Sequence, residues 1–200
     1  MIQEIKVLVK YYVVLHRKIL YNMTGNGGCV MEKFTIKRMT MIALVAALYV
    51  TISIALAPIS FGNIQVRIAE ALTLLPILFV DGISGVTLGC FLTNLVGTIL
   101  GVNVLGPLDI LFGTLATLIA AILTYYLRNY QIKGISYLSL LPPIIINGII
   151  IGAELTYVLS PTFTLPYFLL FTIEVAFGQA IAILVFGLPL LQYLKKIIKE

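Results

Sequence analysis

Five ionisable residues, Arg67, Glu70, Asp109, Glu154 and Glu174, fall within otherwise apolar stretches of this chain, accompanied by the amides Asn94, Asn147 and Gln179. An ionised group at the centre of a bilayer costs about 2.5–3.5 kcal/mol on insertion scales, so each needs a reason to be there. Carboxylates accept N–H bonds in pairs, and amides offer a donor and an acceptor side by side. Four acids against one base imply protonated carboxyls or a cationic, hydrogen-bond-donating ligand. Each residue also has a plainer reading. Arg67 and Glu70 are three residues apart and can pair on one helix face. Asp109 can favour the first turn of a helix. Asn94, Asn147 and Gln179 can join helices by hydrogen bonds. Glu174 can sit close enough to the membrane surface to be hydrated, whereas Glu154 has no such local explanation.

The elements that position these groups are membrane spans. The chain is 60% hydrophobic and 10% charged, against about 25% charged in ordinary soluble domains, so it cannot hide its apolar surface as a globule. Runs of about 20 apolar residues are needed to cross a bilayer. Six candidates emerge between breakers: Met39–Ala57, Val66–Val80, Ile83–Leu100, Pro107–Leu127, Leu138–Leu159 and Leu165–Leu191. The fold class expected is therefore an all-α integral membrane protein, a compact six-helix bundle. The net charge of +5 does not indicate nucleic acid, because the cations flank the spans. Lys33, Lys37 and Arg38 precede the first, Arg128 and Lys133 follow the fourth, and Lys195, Lys196 and Lys199 follow the sixth. With six spans these segments share one side, which places both termini in the cytoplasm.

That topology gives each polar residue a depth. All eight lie between mid-membrane and the outer face, and Asn147 and Glu154, seven residues apart, share a helix face. The inner half is apolar. This distribution predicts a polar cavity open to the outside and closed below, with the loop Pro58–Ile64 as a lid. A channel would need polar lining throughout.

Residues 1–30 mix charge and apolar residues too evenly to span a membrane, and they lack the core and cleavage site of a signal peptide. The codons for Gly27-Gly28 can form a ribosome-binding sequence ahead of Met31, so Met31 is expected to be the start and residues 31–200 the membrane unit. The alternative is an amphipathic helix on the inner membrane surface. Intact mass of the protein made from its native gene decides between them, and an N-terminus at Met1 overturns the leader. His16, the single histidine, belongs to this segment. No disulfide framework is expected from Cys29 and Cys90.

The stretch Gln65-Val66-Arg67-Ile68-Ala69-Glu70-Ala71-Leu72 resembles the QueT family, the substrate-binding subunits of energy-coupling factor (ECF) importers for queuosine precursors. The resemblance continues through Asp109–Thr117, Pro142–Gly148, Gly152–Leu155 and Phe186–Leu190, and covers Met31 to the C-terminus. It implies an ECF S component in a bacterial cell membrane that captures a 7-deazaguanine such as preQ1, preQ0 or queuine from outside. It also implies docking on a membrane coupling subunit driven by two cytoplasmic ATPases. Ala43, Ala46 and Ala47 on the first helix would supply the small-residue docking face. Family members often carry Glu after the glycine where this chain has Gly178-Gln179. Phe and Tyr faces would sandwich the flat base.

Two other functional classes fit these residues less well. A proton-coupled secondary carrier would titrate Glu154 or Glu174, but it needs an inner route and usually internal repeats, which the sequence lacks. An intramembrane enzyme finds no H-E-x-x-H, no G-x-S-x-G and no phosphate-binding loop. No cofactor, metal or catalytic residue is therefore expected.

Overall fold

The computed structural model describes residues 36–62, 66–131 and 136–199; the expected leader, residues 1–30, lies outside them. Among the described residues all regular structure is helical. The long helices are α1 (Ile36–Ala55), α2 (Asp81–Ile99), α3 (Pro107–Leu127), α4 (Leu141–Leu159) and α5 (Leu165–Ile181). A π-helical segment, Ala182–Gly187, joins α5 to α6 (Leu188–Lys199) without a break. Among the described residues five helical stretches are long and apolar enough to cross a membrane, the last running from Leu165 to Ile198.

Three departures from the sequence reading have physical causes. The expected second span, Val66–Val80, is not an α-helix but a 3-10 helix over Ile68–Ile77, too short to count among those five. Every residue from Ala69 to Ile77 is buried. A 3-10 helix rises about 2.0 Å per residue against 1.5 Å for an α-helix, so ten residues advance about 20 Å rather than 15 Å. Pro76, inside it, has no N–H to give to either ladder. The second departure is the sixth span, which runs past Leu191 as part of a continuous stretch of 34 residues. Pro189 cannot bond to the carbonyl one turn back, and the ladder widens into π geometry just before it.

The third concerns the expected docking alanines. Ala46 faces inward, buried against Gly89, while Ala43 and Ala47 face outward. Glycines in α2 let α1 approach closely. A Cβ on Gly85 would lie 2.8 Å from Val45 Cβ, and one on Gly89 would lie 2.6 Å from Tyr49 Cβ.

These contacts fix the chain direction. Arg38 Nη2 lies 2.6 Å from Asp81 Oδ1, Val45 meets Gly85, and Tyr49 meets Gly89. Consecutive helices α1 and α2 are therefore parallel. Residues 56–80 must return the chain to the end where α1 began, and the 3-10 helix makes most of that journey. Next, α3 is antiparallel to α2, with Asn94 at Asp109 and Cys90 at Thr117. Thr124 Oγ1 donates to the Ser139 carbonyl at 3.2 Å, setting α4 antiparallel to α3. Gly148 meets Ala176 and Gly152 meets Thr172, setting α5 antiparallel to α4.

One end of the bundle thus gathers Arg38, Arg128 and the lysines of α6. An apolar seal fills that half, where Met41, Val45, Leu75 and Phe79 pack with Leu190 and Leu194, and Leu74 and Ile77 pack with Ile183 and Leu191. Large apolar side chains such as Leu111, Ile145, Ile173 and Phe177 face outward. This suits a protein solvated by lipid rather than water.

Candidate functional site

The loop between α2 and α3 builds the first half of the site. Gly101 and Gly106 take positive φ values of 69° and 61°, a region that costs other residues strain. The turn they permit brings Asn103 inward. Its Oδ1 accepts the Leu105 N–H at 3.1 Å, and its Nδ2 donates to Asp109 Oδ2 at 3.0 Å. Asp109 sits in the first turn of α3, fully buried. Gly113 leaves space for its carboxylate, since a Cβ there would overlap Asp109 Oδ1.

Arg67 approaches from the other side. It precedes the 3-10 helix in an extended conformation (φ −81°, ψ 91°), and its Nη2 donates to Asp109 Oδ2 at 3.1 Å. Its Nη1 lies 3.7 Å from Cys90 Sγ, and Phe61 covers the guanidinium, 5.2 Å from ring centroid to carbon. Cation–π contact of this kind strengthens where water is excluded. Asn94 Nδ2 donates to the Asp109 carbonyl at 2.7 Å, and Thr117 Oγ1 donates to Cys90 Sγ at 3.2 Å. This ion pair is buried, so its worth depends on the neighbours that complete its hydrogen bonds.

A second cluster adjoins it. Tyr49 in α1 donates its hydroxyl to Glu70 Oε1, and Asn147 Nδ2 in α4 donates to Glu70 Oε2 at 3.3 Å. Glu70 therefore ties three elements together from the first turn of the 3-10 helix. Removing one interhelical hydrogen bond costs about 1–2 kcal/mol in a membrane interior. Tyr49→Phe should accordingly lower the melting temperature in detergent while the protein still folds. An unchanged midpoint would show that the hydroxyl contributes nothing.

The structure thus brings together Arg67, Glu70, Asn94, Asp109 and Asn147 and adds Tyr49, Asn103, Cys90, Thr117 and Phe61, which the sequence reading missed. Two signals for these existed: Tyr49 is a tyrosine in the middle of a span, and Asn103 lies six residues before a buried acid. The Arg67–Glu70 pair that their spacing would allow does not form; Arg67 pairs with Asp109 instead. Arg67 stands outside the helical repeat, so their spacing of three places them on different partners. Glu154, Glu174 and Gln179 make no hydrogen bond to this hub among the described residues. Gln179 is buried with its amide oxygen unpartnered, Glu174 is half-buried on α5, and Glu154 lines a cleft beside Leu108 and Phe112.

Among the described residues Phe61 and Leu105 are both buried beside the hub, and the Val66 N–H donates to the Ile59 carbonyl at 3.2 Å across the loop expected to be a lid. Of that loop, residues 63–65 lie outside the described residues. Hydrogen-bonding capacity nevertheless remains unused. Arg67 Nε, Asp109 Oδ1 and Asn94 Oδ1 are buried without partners, one donor and two acceptors held within a single cluster. Buried polar groups left unpaired are costly, so three of them in one cluster are unusual for a purely structural core. Among the described residues no group of His, Cys, Asp and Glu is arranged to hold a metal ion.

The chain matches no curated protein and no solved structure at a significant level. Over residues 39–196 it matches the family described as QueT transporter.

Proposed function

Because the chain belongs to the QueT transporter family, we propose that it is the substrate-binding subunit of an ECF importer, capturing a 7-deazaguanine at the Arg67–Asp109–Asn94 hub. The observation that carries this reading is the set of unpartnered polar atoms at that hub. A guanine-like edge offers N–H donors beside a carbonyl acceptor. Asp109 Oδ1 and Asn94 Oδ1 can accept the former, and Arg67 Nε can donate to the latter. Phe61 supplies an aromatic face next to the same guanidinium.

The topology proposed is six crossings, with the 3-10 helix as the second and both termini in the cytoplasm of a bacterium. The gathering of Arg38, Arg128 and the α6 lysines at one end supports that orientation, and it puts the hub in the outer half. The apolar seal below favours capture over free passage, so energy must come from elsewhere, from ATPase subunits acting through a membrane coupling partner. The outward face of Ala43 and Ala47, four residues apart on α1, is where that partner would approach closely.

Calorimetric titration of the detergent-purified protein with preQ1, preQ0, queuine and guanine tests the substrate. Tight one-to-one binding to one deazaguanine, with guanine at least about tenfold weaker (about 1.4 kcal/mol), is the expected result. Failure of folded protein to bind any of them overturns the substrate assignment.

A further inference from the structure

Next to the hub, α3 and α4 frame a separate cleft of about 500 Å³ on the surface of the bundle. Leu108 and Phe112, four residues apart, form one wall; Ile149, Ile150, Ala153 and Tyr157 form the other. The single acidic side chain lining it is Glu154, and no basic one does. Glu154 is 7% exposed, and neither of its carboxylate oxygens has a hydrogen-bond partner. Arg67, which would be the natural counter-ion, is already engaged by Asp109.

We propose that this cleft is a second binding site, for an organic ammonium carried on an apolar body. A carboxylate walled by apolar side chains is poorly solvated, and it is stabilised by a cation that brings its own hydrogen-bond donors. The walls select the rest of the ligand. Phe112 and Tyr157 offer aromatic faces that attract both a cation and a hydrocarbon, and Leu108, Ile149 and Ile150 offer no hydrogen bond to a polar tail. The volume lies in the range of small-molecule sites. Glu154 is five residues before the end of α4, about 7.5 Å of helix, a depth that both a soluble amine and the amine headgroup of a phospholipid can reach. The proposal does not rest on the deazaguanine reading, since no hub residue lines the cleft.

The test is calorimetry on the protein in phosphatidylglycerol nanodiscs, titrated with phenethylammonium and its neutral counterpart 2-phenylethanol, with partition into empty discs subtracted. The expected result is saturable one-to-one binding of phenethylammonium at least tenfold tighter than of the alcohol. Glu154→Gln should abolish the preference, and Ala153→Trp, which fills the cleft, should abolish binding of both with the melting temperature retained. Repeating the titration in discs containing phosphatidylethanolamine identifies the source. A tenfold loss of phenethylammonium affinity assigns the site to a lipid amine, and an unchanged affinity assigns it to a soluble one. Equal affinity for ammonium and alcohol, absence of saturable binding in phosphatidylglycerol, or a preference that survives Glu154→Gln overturns the proposal.

Discussion

Asp109→Ala should produce the largest loss of any single substitution in the hub, because it strips the buried guanidinium of Arg67 of its ion-pair partner. Asp109 Oδ2 receives both Arg67 Nη2 at 3.1 Å and Asn103 Nδ2 at 3.0 Å. Breaking a buried pair from one side costs about 3–5 kcal/mol, chiefly through the uncompensated charge. Such a loss is a large fraction of the net stability of a typical domain, so a sharply lower melting temperature and poor recovery from detergent are expected. The double substitution Arg67→Met/Asp109→Leu separates folding from binding. It removes both charges, and replacing buried pairs by apolar residues of similar volume is often neutral or stabilising. The double variant should therefore fold close to wild type yet bind no deazaguanine. Should it bind with wild-type affinity, the hub is structural and the substrate site lies elsewhere.

Gly89→Val should have an effect of similar size by a different route. A Cβ at position 89 would stand 2.6 Å from Tyr49 Cβ and 3.2 Å from Ala46 Cα, atoms fixed to the backbone of α1 that no rotamer change can move aside. Overpacking costs about 1–3 kcal/mol where side chains can adjust, and more where they cannot. Separation of α1 from α2 also withdraws Tyr49 from Glu70, so ligand affinity should fall along with stability. Ala47→Val on the outward face of the same helix is the control, expected to leave the melting temperature within about 0.5 kcal/mol of wild type. If the two variants melt alike, the close approach of α1 and α2 contributes nothing to the fold.

The features legible in the sequence were those encoded by composition over a whole segment. Apolar length located the helices, and the flanking cations Arg38, Arg128, Lys195 and Lys196 anticipated which ends lie together. Rare polar residues in apolar runs pointed to Arg67, Glu70, Asn94, Asp109 and Asn147, which the fold does assemble. What escaped depended on tertiary geometry. Nothing local in Ile68–Ile77 announces a 3-10 helix; the thinner, longer-rising form follows from having to return the chain beside α1 through a bundle that encloses it completely. The rotation of α1 is equally invisible, because its hydrophobicity is nearly uniform around the axis, and so Ala46 could not be distinguished from Ala43 and Ala47. Glu174 and Gln179 look as conspicuous in sequence as Asn147, yet neither reaches the hub.

The continuity of the last helix gives it a mechanical character. A stretch of 34 residues measures about 51 Å, against a hydrocarbon layer of about 30 Å. Even tilted by 40°, the steep end of the usual range, it would span about 39 Å of depth. One end must therefore reach beyond the lipid tails, and the end with Lys195 and Lys196 is the one whose charges favour water. Part-way along this rod, Gly187 rests against Ala71 and Leu74 of the 3-10 helix, close enough that a Cβ would lie 3.3 Å from the Ala71 backbone. The projecting turns and a contact one residue from Glu70 thus belong to one continuous helical stretch.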